Sequence, residues 1–461
     1  MEEPIEPAEG KRSGSGRACT VALLPWGDLI EDFLDGIDIS LEAFCTEMSG
    51  GWLFGYVEAL RSTGIRTVVF CVSGRVSTVT RYRNGPTGAE FCILPATATY
   101  LRIRRRMQDP YGASVAEVFG PRKRGRKLYG GLRALAPYLA TPVPLLMREL
   151  RRAGCDAVLC QEYEYPRFDV CVLAGKLLRL PVFATFQGGD RHRSRLEGLL
   201  RPYTVRTCAG LIIGPEREIR RVRSRYGLTG ERIANIANPL DVHAWKNQGR
   251  MQSRAELGIS ESTRVAIWHG RVDIHRKGLD VLLDAWRRVL EQHEKDRMLV
   301  LVGTGDDAEK LRRHLAALPS ANVLWLDTYL LDRERIRSYL SAADLYVLPS
   351  RHEGFPVAPV EAMACGLPVV AADAPGVREI VGDLEAACGR IVARGDAAQL
   401  GKELEVLLAD DDLARAMGAN ARRRVHATFS TSVVGEQLNR FIRPPDGTYG
   451  IPAKATSGGW S

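Results

Sequence analysis

The chain has 461 residues, 45% of them hydrophobic, which is enough for two or three domains with cores of their own and excludes a disordered or fibrous protein. Its formal charge of +9 is unevenly held: residues 61–225 carry 31 basic against 12 acidic side chains, whereas residues 18–60 contain no Lys or Arg. No run of 18 apolar residues offers a membrane span, the acidic start lacks the apolar core of a signal peptide, and the ten cysteines form no C-x-x-C pair, so the expectation is a cytosolic chain whose cysteines act as small buried hydrophobes.

From the amino terminus, residues 1–17 are rich in Gly, Ser, Pro and charge and are expected to be a disordered tail. An apolar run predicts a strand at 20–24. A long acidic stretch, 27–49, then leads to Gly50 and Gly51, which open an apolar-periodic helix over 52–60. Glycine at such a place serves a simple turn or lets the backbone approach a phosphate. Apolar runs at 67–72, 91–94, 157–160, 182–186 and 210–213 alternate with helical spacing, the pattern of a parallel sheet covered by helices. Two dense basic segments, 102–106 and 121–129, precede a stretch of aliphatic helical spacing at 132–150.

The run at 182–186 ends in Gln187-Gly-Gly-Asp190. Glutamine hydrogen-bonds but takes no proton, and Asp190 suits a turn cap. Asn238-Pro-Leu-Asp241 marks a turn and places a hinge near 240–250. The alternation then restarts at 264–268, 299–302, 323–326, 345–348, 369–371 and 390–392. Directly after the first of these come His269-Gly-Arg271 and Arg276-Lys277-Gly278, cations just past a strand end. Gly303-Thr-Gly305 lacks the third glycine of a dinucleotide fingerprint and carries no chemistry.

After the run at 344–350, a loop holds Glu353 and Gly354, and a helix over about 358–365 holds Glu361. Pro356 and Pro359 suit its first turn, and Gly366 and Pro368 end it. Strand, loop, helix and strand in this order aim the free N–H groups of the helix start at the carboxyl edge of a parallel sheet, where anions bind. Residues 396–429 are expected to be largely helical, 431–441 to form a last helix, and 444–461 to fray.

Glu353-Gly354 and Glu361, preceded by Pro349-Ser350 and followed by Gly366-Leu-Pro-Val369, resemble the signature of the family 4 glycosyltransferases. Gly50-Gly51, the segment ending at Gln187, Asn238-Pro-Leu-Asp241 and the pair Gly270-Arg271 with Lys277-Gly278 are similar to further elements of that family. The resemblance covers roughly residues 18–442 and is strongest over 264–381. It implies the GT-B fold: a Rossmann-like acceptor-side domain at 18–240, a Rossmann-like nucleotide-sugar domain at 241–429, a helix at 430–442 crossing back to the first, and a flexible tail at 443–461.

It also implies retaining transfer of a sugar from a UDP- or GDP-linked donor to a hydroxyl of a glycan or lipid-linked acceptor, with no cofactor and no metal ion. Arg271 and Lys277, with Arg276 competing for the second role, would neutralise the diphosphate as the glycosidic bond breaks. Gly50, Gly51, Val357 and Ala358 would bring backbone to the same group. Glu353 is the implied catalytic residue and, with Gly354, Phe355 and Pro356, would hold the donor sugar. Glu361 would bind the ribose, and Thr328 and Tyr329 would lie beside the base. Gln187 stands where the family has a catalytic-site histidine, and Asp190 would serve the acceptor hydroxyl.

Because of Gln187, a non-catalytic nucleotide-sugar-binding or membrane-surface scaffold stays open as the alternative, together with a nucleotide-sugar epimerase. The basic segments are either a solvated face or a peripheral contact with an anionic inner membrane surface. No aromatic interleaving, zinc pattern or recognition helix accompanies them, which argues against nucleic acid.

Overall fold

A parallel strand covered on both faces needs apolar side chains at every position rather than at alternate ones, and the short apolar runs of this chain fold accordingly. The structure, a computed structural model, describes residues 19–121, 125–189, 194–292, 296–316, 318, 322–382 and 387–443. Most of both expected tails, the core of the second basic segment and Asp190 therefore lie outside the described residues.

The first sheet contains β1 (Thr20–Leu24), β2 (Arg66–Ser73), β3 (Thr80–Arg83), β4 (Glu90–Pro95), β5 (Ala157–Cys160), β6 (Val182–Thr185), β7 (Gly210–Ile212) and β8 (Ile233–Ala234), in the order β3-β4-β2-β1-β5-β6-β7-β8. All neighbours are parallel except β3 and β4. The second sheet contains β9 (Arg264–His269), β10 (Arg297–Val302), β11 (Val323–Leu326), β12 (Leu345–Leu348), β13 (Val369–Ala372) and β14 (Gly389–Val392), in the order β11-β10-β9-β12-β13-β14 and wholly parallel. Two Rossmann-like parallel-sheet units with helices on their faces make up the GT-B architecture.

In each sheet the chain reverses its direction of progress beside one strand. β1 pairs with both β2 and β5, for example Leu23 with Val69 and with Leu159. β9 pairs with both β10 and β12, as Ile267 does with Val300 and Tyr346. Loops leaving such switch points diverge and leave a crevice at the carboxyl ends of the strands. Both crevices face the same cleft. The helix Thr431–Ile442 packs back onto the helix Gly51–Ser62 of the first unit, where Gly435 sits against Ala59 O and Phe441 fills the space beside Gly210.

Three stretches take a more definite form in the structure. The helical stretch read over 132–150 is two helices, Arg126–Ala140 and Val143–Ala153, because Pro142 holds Thr141 in extended backbone between them. The stretch at 396–429 is largely helical, as expected, in two helices, Ala397–Ala409 and Asp411–Thr428, with Asp410 extended between them and capping the second. The acidic stretch 27–49 is partly helical. It forms the short helices Glu31–Leu34 and Leu41–Thr46, whose Leu34, Phe44 and Cys45 join the core under the helix Gly51–Ser62.

The acidic side chains of this stretch are mostly consumed internally. Glu31 Oε1 accepts from Ser73 Oγ at 2.6 Å and from the N–H groups of Gly74 and Arg75 at 2.7 and 3.0 Å, tying the stretch to the end of β2. Tyr111 Oη donates to Asp32 at 2.7 Å and accepts from Asp28 N–H at 2.8 Å, while Arg104 pairs with Asp32 at 2.9 Å. Arg104, read as part of a basic surface cluster, is thus a partner of the acidic stretch.

Candidate active site

Residues that follow β1, β6, β9, β10 and β12 line a cleft of about 460 Å³ between the two units. Pro25, Trp26, Gly50, Gly51 and Gln187 come from the first; His269, Arg271, Arg276, Lys277, Tyr329, Glu353 and Glu361 come from the second. Gly354, Phe355, Pro356, Val357 and Ala358 also line it, so the expected donor-side residues are brought together with one exception: Thr328 is not part of the lining, and Tyr329 is.

The charged residues are arranged in pairs. Lys277 Nζ donates to Glu353 Oε1 at 2.7 Å, and Glu353 is 6% exposed. The ion pair gives the buried Glu353 carboxyl group a cationic partner inside the cleft. His269 Nε2 lies 2.8 Å from Glu361 Oε2, while its Nδ1 is buried with no partner among the described residues. Arg271 pairs with Asp306, and its guanidinium passes close over Gly36, where a Cβ would stand only 3.0 Å from Nη2. The acidic stretch of the first unit therefore roofs the Arg271 end of the cleft. Burial, with the Glu361 charge adding to it, pushes the Tyr329 phenol up to about 12, so it stays a neutral hydroxyl.

The loops carrying Gln187 and Glu353 touch through glycine. A Cβ on Gly354 would lie 2.3 Å from Gly188 N, and one on Gly188, whose φ is +93°, would lie 2.7 Å from Gly354 Cα. Asn238 joins both loops. Its amide exchanges two hydrogen bonds with that of Gln187, at 2.9 and 3.0 Å, and also donates to Phe355 O at 3.0 Å. Gln187 Nε2 additionally reaches Thr185 Oγ1 at 3.0 Å. Farther out, Arg333 of the second unit pairs with Glu58 of the first at 2.9 Å, both nearly buried.

Sequence reasoning missed His269, Asn238, Glu58, Arg333 and, behind the Gln187 loop, Glu162. His269 and Asn238 were inside motifs already singled out, and their chemistry was the available signal. Glu162 stands two residues past the end of β5, a carboxylate at the carboxyl edge of a parallel sheet, which is a signal of the same kind.

A model of the family described as glycosyl transferases group 1 matches residues 250–424, the segment that holds Arg271, Lys277, Glu353 and Glu361. The GDP-mannose-dependent monoacylated alpha-(1-6)-phosphatidylinositol monomannoside mannosyltransferase of Corynebacterium glutamicum is 32% identical over 236 residues, covering 49% of this chain and 59% of that protein. The phosphatidyl-myo-inositol mannosyltransferase of Mycolicibacterium smegmatis is 30% identical over 283 residues, covering 60% of this chain and 69% of the other. The match thus spans 59% and 69% of these relatives' own length. Among solved structures, the sucrose-phosphate synthase from Thermosynechococcus elongatus has the same fold, with a TM-score of 0.67 at 19% identity over 92% of this chain and 98% of that one.

Proposed function

This chain belongs to the group 1 glycosyltransferases, and from that premise we propose that it is a retaining hexosyltransferase that moves a sugar from a nucleoside-diphosphate donor to a hydroxyl of a glycolipid or other lipid-linked acceptor, without a divalent metal. The observation that carries the reading is the Lys277–Glu353 pair beside Arg271 and Glu361 at the carboxyl ends of parallel strands. A donor entering the cleft gives each member of the pair a new partner. Lys277 and Arg271 turn to the diphosphate, and Glu353, released from its cation, accepts from the sugar hydroxyls.

As the glycosidic bond lengthens, negative charge builds on the departing phosphate and positive charge on the anomeric carbon. Two fixed cations on one side and a carboxylate on the other favour that separation. Lys277 and Arg271 thereby supply what a metal ion supplies elsewhere, which is the support for metal-free transfer. The acceptor hydroxyl attacks from the face the phosphate leaves, and a phosphate oxygen takes its proton. Glu361, oriented through one oxygen by His269, holds the ribose with the other. Tyr329, with Leu330 and Leu331 beside it in the lining, faces the base. The names of the relatives make GDP-mannose the first donor to try and an inositol-bearing glycolipid the first acceptor.

A peripheral position at an anionic inner membrane surface goes with such an acceptor. Arg102, Arg105 and Arg106 are exposed at the end of the helix Ala98–Arg104, which packs against the helix Arg126–Ala140. The latter exposes Leu128 at 66% and Leu135 at 46%. Basic and apolar side chains on adjoining exposed helices suit a charged lipid interface.

The test is a thermal-shift panel of GDP, UDP, ADP and TDP with magnesium or with EDTA, followed by donor turnover with the nucleotide that stabilises. One nucleotide should raise the melting temperature in EDTA, and its sugar conjugate should be consumed. No stabilisation by any of the four, or activity abolished by EDTA, overturns the reading.

A further inference from the structure

We propose that Glu162 is a positioning residue: from behind the cleft its carboxyl group holds the Gln187–Gly189 backbone against Gly354, so that Gln187, which lines the cleft, keeps its place beside Glu353. The inference rests on the transferase reading above for its consequence in catalysis, but the clamp itself is a matter of geometry.

Glu162 is 3% exposed and accepts three backbone N–H groups. Its Oε2 takes both Gln187 N–H at 3.0 Å and Gly189 N–H at 2.7 Å; its Oε1 takes Glu164 N–H at 2.9 Å. Asp169, Glu164 and Glu218, other buried carboxylates of the same unit, are paired with Arg201 or Arg221. Glu162 has no such cation among the described residues, and its acceptors are spent on one cleft-facing loop and its own turn. The fit is close, since a Cβ on Gly189 would stand 2.6 Å from the Glu162 carboxyl carbon. A buried carboxyl group that stabilises nothing but two loop amides and its own turn is expensive unless the loop's position matters.

What the clamp fixes follows from peptide planarity. No cis peptide bond is present among the described residues, so with Gly189 N–H aimed at Glu162 the Gly188 carbonyl of the same peptide points the opposite way. On that side lies His352 Nε2, 3.4 Å from Gly188 O and one residue before Glu353. The clamp thus seats the Gly188 peptide, and with it the cleft-lining Gln187, against the loop of His352, Glu353 and Gly354. Since Gln187 cannot move a proton, a fixed position beside Glu353 is the contribution this loop is equipped to make.

Glu162→Met removes the acceptors at nearly constant side-chain length. With GDP-mannose and UDP-glucose as donors, it should lower kcat by about 100-fold, the scale of a 1 Å misplacement, while KM for the donor and the affinity for GDP stay as in wild type. Glu162→Gln should restore most of kcat, because its single carbonyl oxygen can accept both loop amides. Hydrogen exchange at Gln187 and Gly189 should be at least about tenfold faster in Glu162→Met than in wild type, with exchange elsewhere unchanged.

Wild-type kcat in Glu162→Met, or equal losses of kcat and GDP affinity, overturns the proposal, as does an unchanged exchange rate at the two amides. If Glu162→Met does not fold, wild-type exchange decides: the two amides must be slower than those of the exposed Ser77 and Thr78 ahead of β3, and equal rates overturn the clamp. If wild type consumes neither donor, the failure belongs to the transferase reading for those donors, and the exchange comparison still decides the clamp.

Discussion

Gly354 is a point of backbone-to-backbone contact between the two domains, and enlarging it tests whether the closed cleft is the working form. In Gly354→Ala the new methyl would lie 2.3 Å from Gly188 N, 2.4 Å from Gln187 C and 2.5 Å from Gln187 O. Ordinary contact for a Cβ begins at 3.4 Å, so the substitution demands roughly 1 Å of added separation. None of the three atoms belongs to a side chain that can swing aside. The Gln187 loop is held by Glu162 on its far side, and Asn238 fixes Phe355 O. The cheapest relief is to open the domains slightly. An opening of about 1 Å at the reacting centre costs about 100-fold in rate, equivalent to about 2.7 kcal/mol of barrier. Nucleotide binding should survive, because Arg271, Lys277 and Glu361 all belong to the second domain. The assay is donor turnover alongside calorimetric titration with GDP, and the control is Gly130→Ala, whose Cβ meets nothing within 4 Å and which replaces a helix-interior glycine. The control should be fully active and more stable by about 0.5–1 kcal/mol. Wild-type kcat in Gly354→Ala would refute the reasoning.

Lys277→Met should weaken GDP binding by about 10- to 100-fold, the worth of a charge-assisted hydrogen bond of about 1.5–3 kcal/mol; an unchanged titration removes Lys277 from the diphosphate. Burial pushes the Glu162 carboxyl from its ordinary 4.5 up to about 8, against the pull of its amide donors. A carboxyl raised on folding contributes stability that is fully present below pH 4.5 and is lost as pH rises through 8. The wild-type melting temperature should therefore fall relative to Glu162→Gln between those pH values, and parallel curves would contradict it. Replacing Arg102, Arg105 and Arg106 together by Gln should reduce cosedimentation with phosphatidylserine vesicles at low salt by about 1 kcal/mol per residue, and unchanged binding would discard that face as a membrane contact.

Much of this architecture was legible because its strands are buried on both faces. Val68–Val72 and Val369–Ala372 announce themselves as continuous apolar runs, and the helix around Glu361 is bracketed by prolines and glycine. β3 was not legible: Thr80–Arg83 is a half-exposed edge strand with one aromatic residue, so nothing in its four residues differs from a loop. The two-helix break at Thr141-Pro142 was legible in principle from the proline, but aliphatic spacing on either side masked it. At the site, residues inside contiguous motifs were found, and pairings between distant segments were not. His269 and Glu361 are 92 residues apart, and Arg333 and Glu58 are 275 apart. Sequence spacing carries no information about such contacts; only the shared cleft brings them together.

The identity of residue 187 bears on chemistry directly only if its side chain is to move a proton. Here the Gln187 amide is committed to Asn238 and Thr185, so it acts as a strut joining the loop after β6 to the hinge segment and, through Asn238, to Phe355 beside Glu353. A reaction whose proton passes directly from acceptor to leaving phosphate asks this loop for position alone. The Glu162 clamp behind, the glycine contact in front and the Gln187–Asn238 strut at the side all supply position, and they agree with one another in a way that a proton-transferring residue at 187 would not require. Asn238→Ala separates the two accounts. If position is what counts, the loss of the strut should slow donor turnover as much as altering Gln187 does; if the Gln187 side chain has chemistry of its own, Gln187→Ala should cost far more.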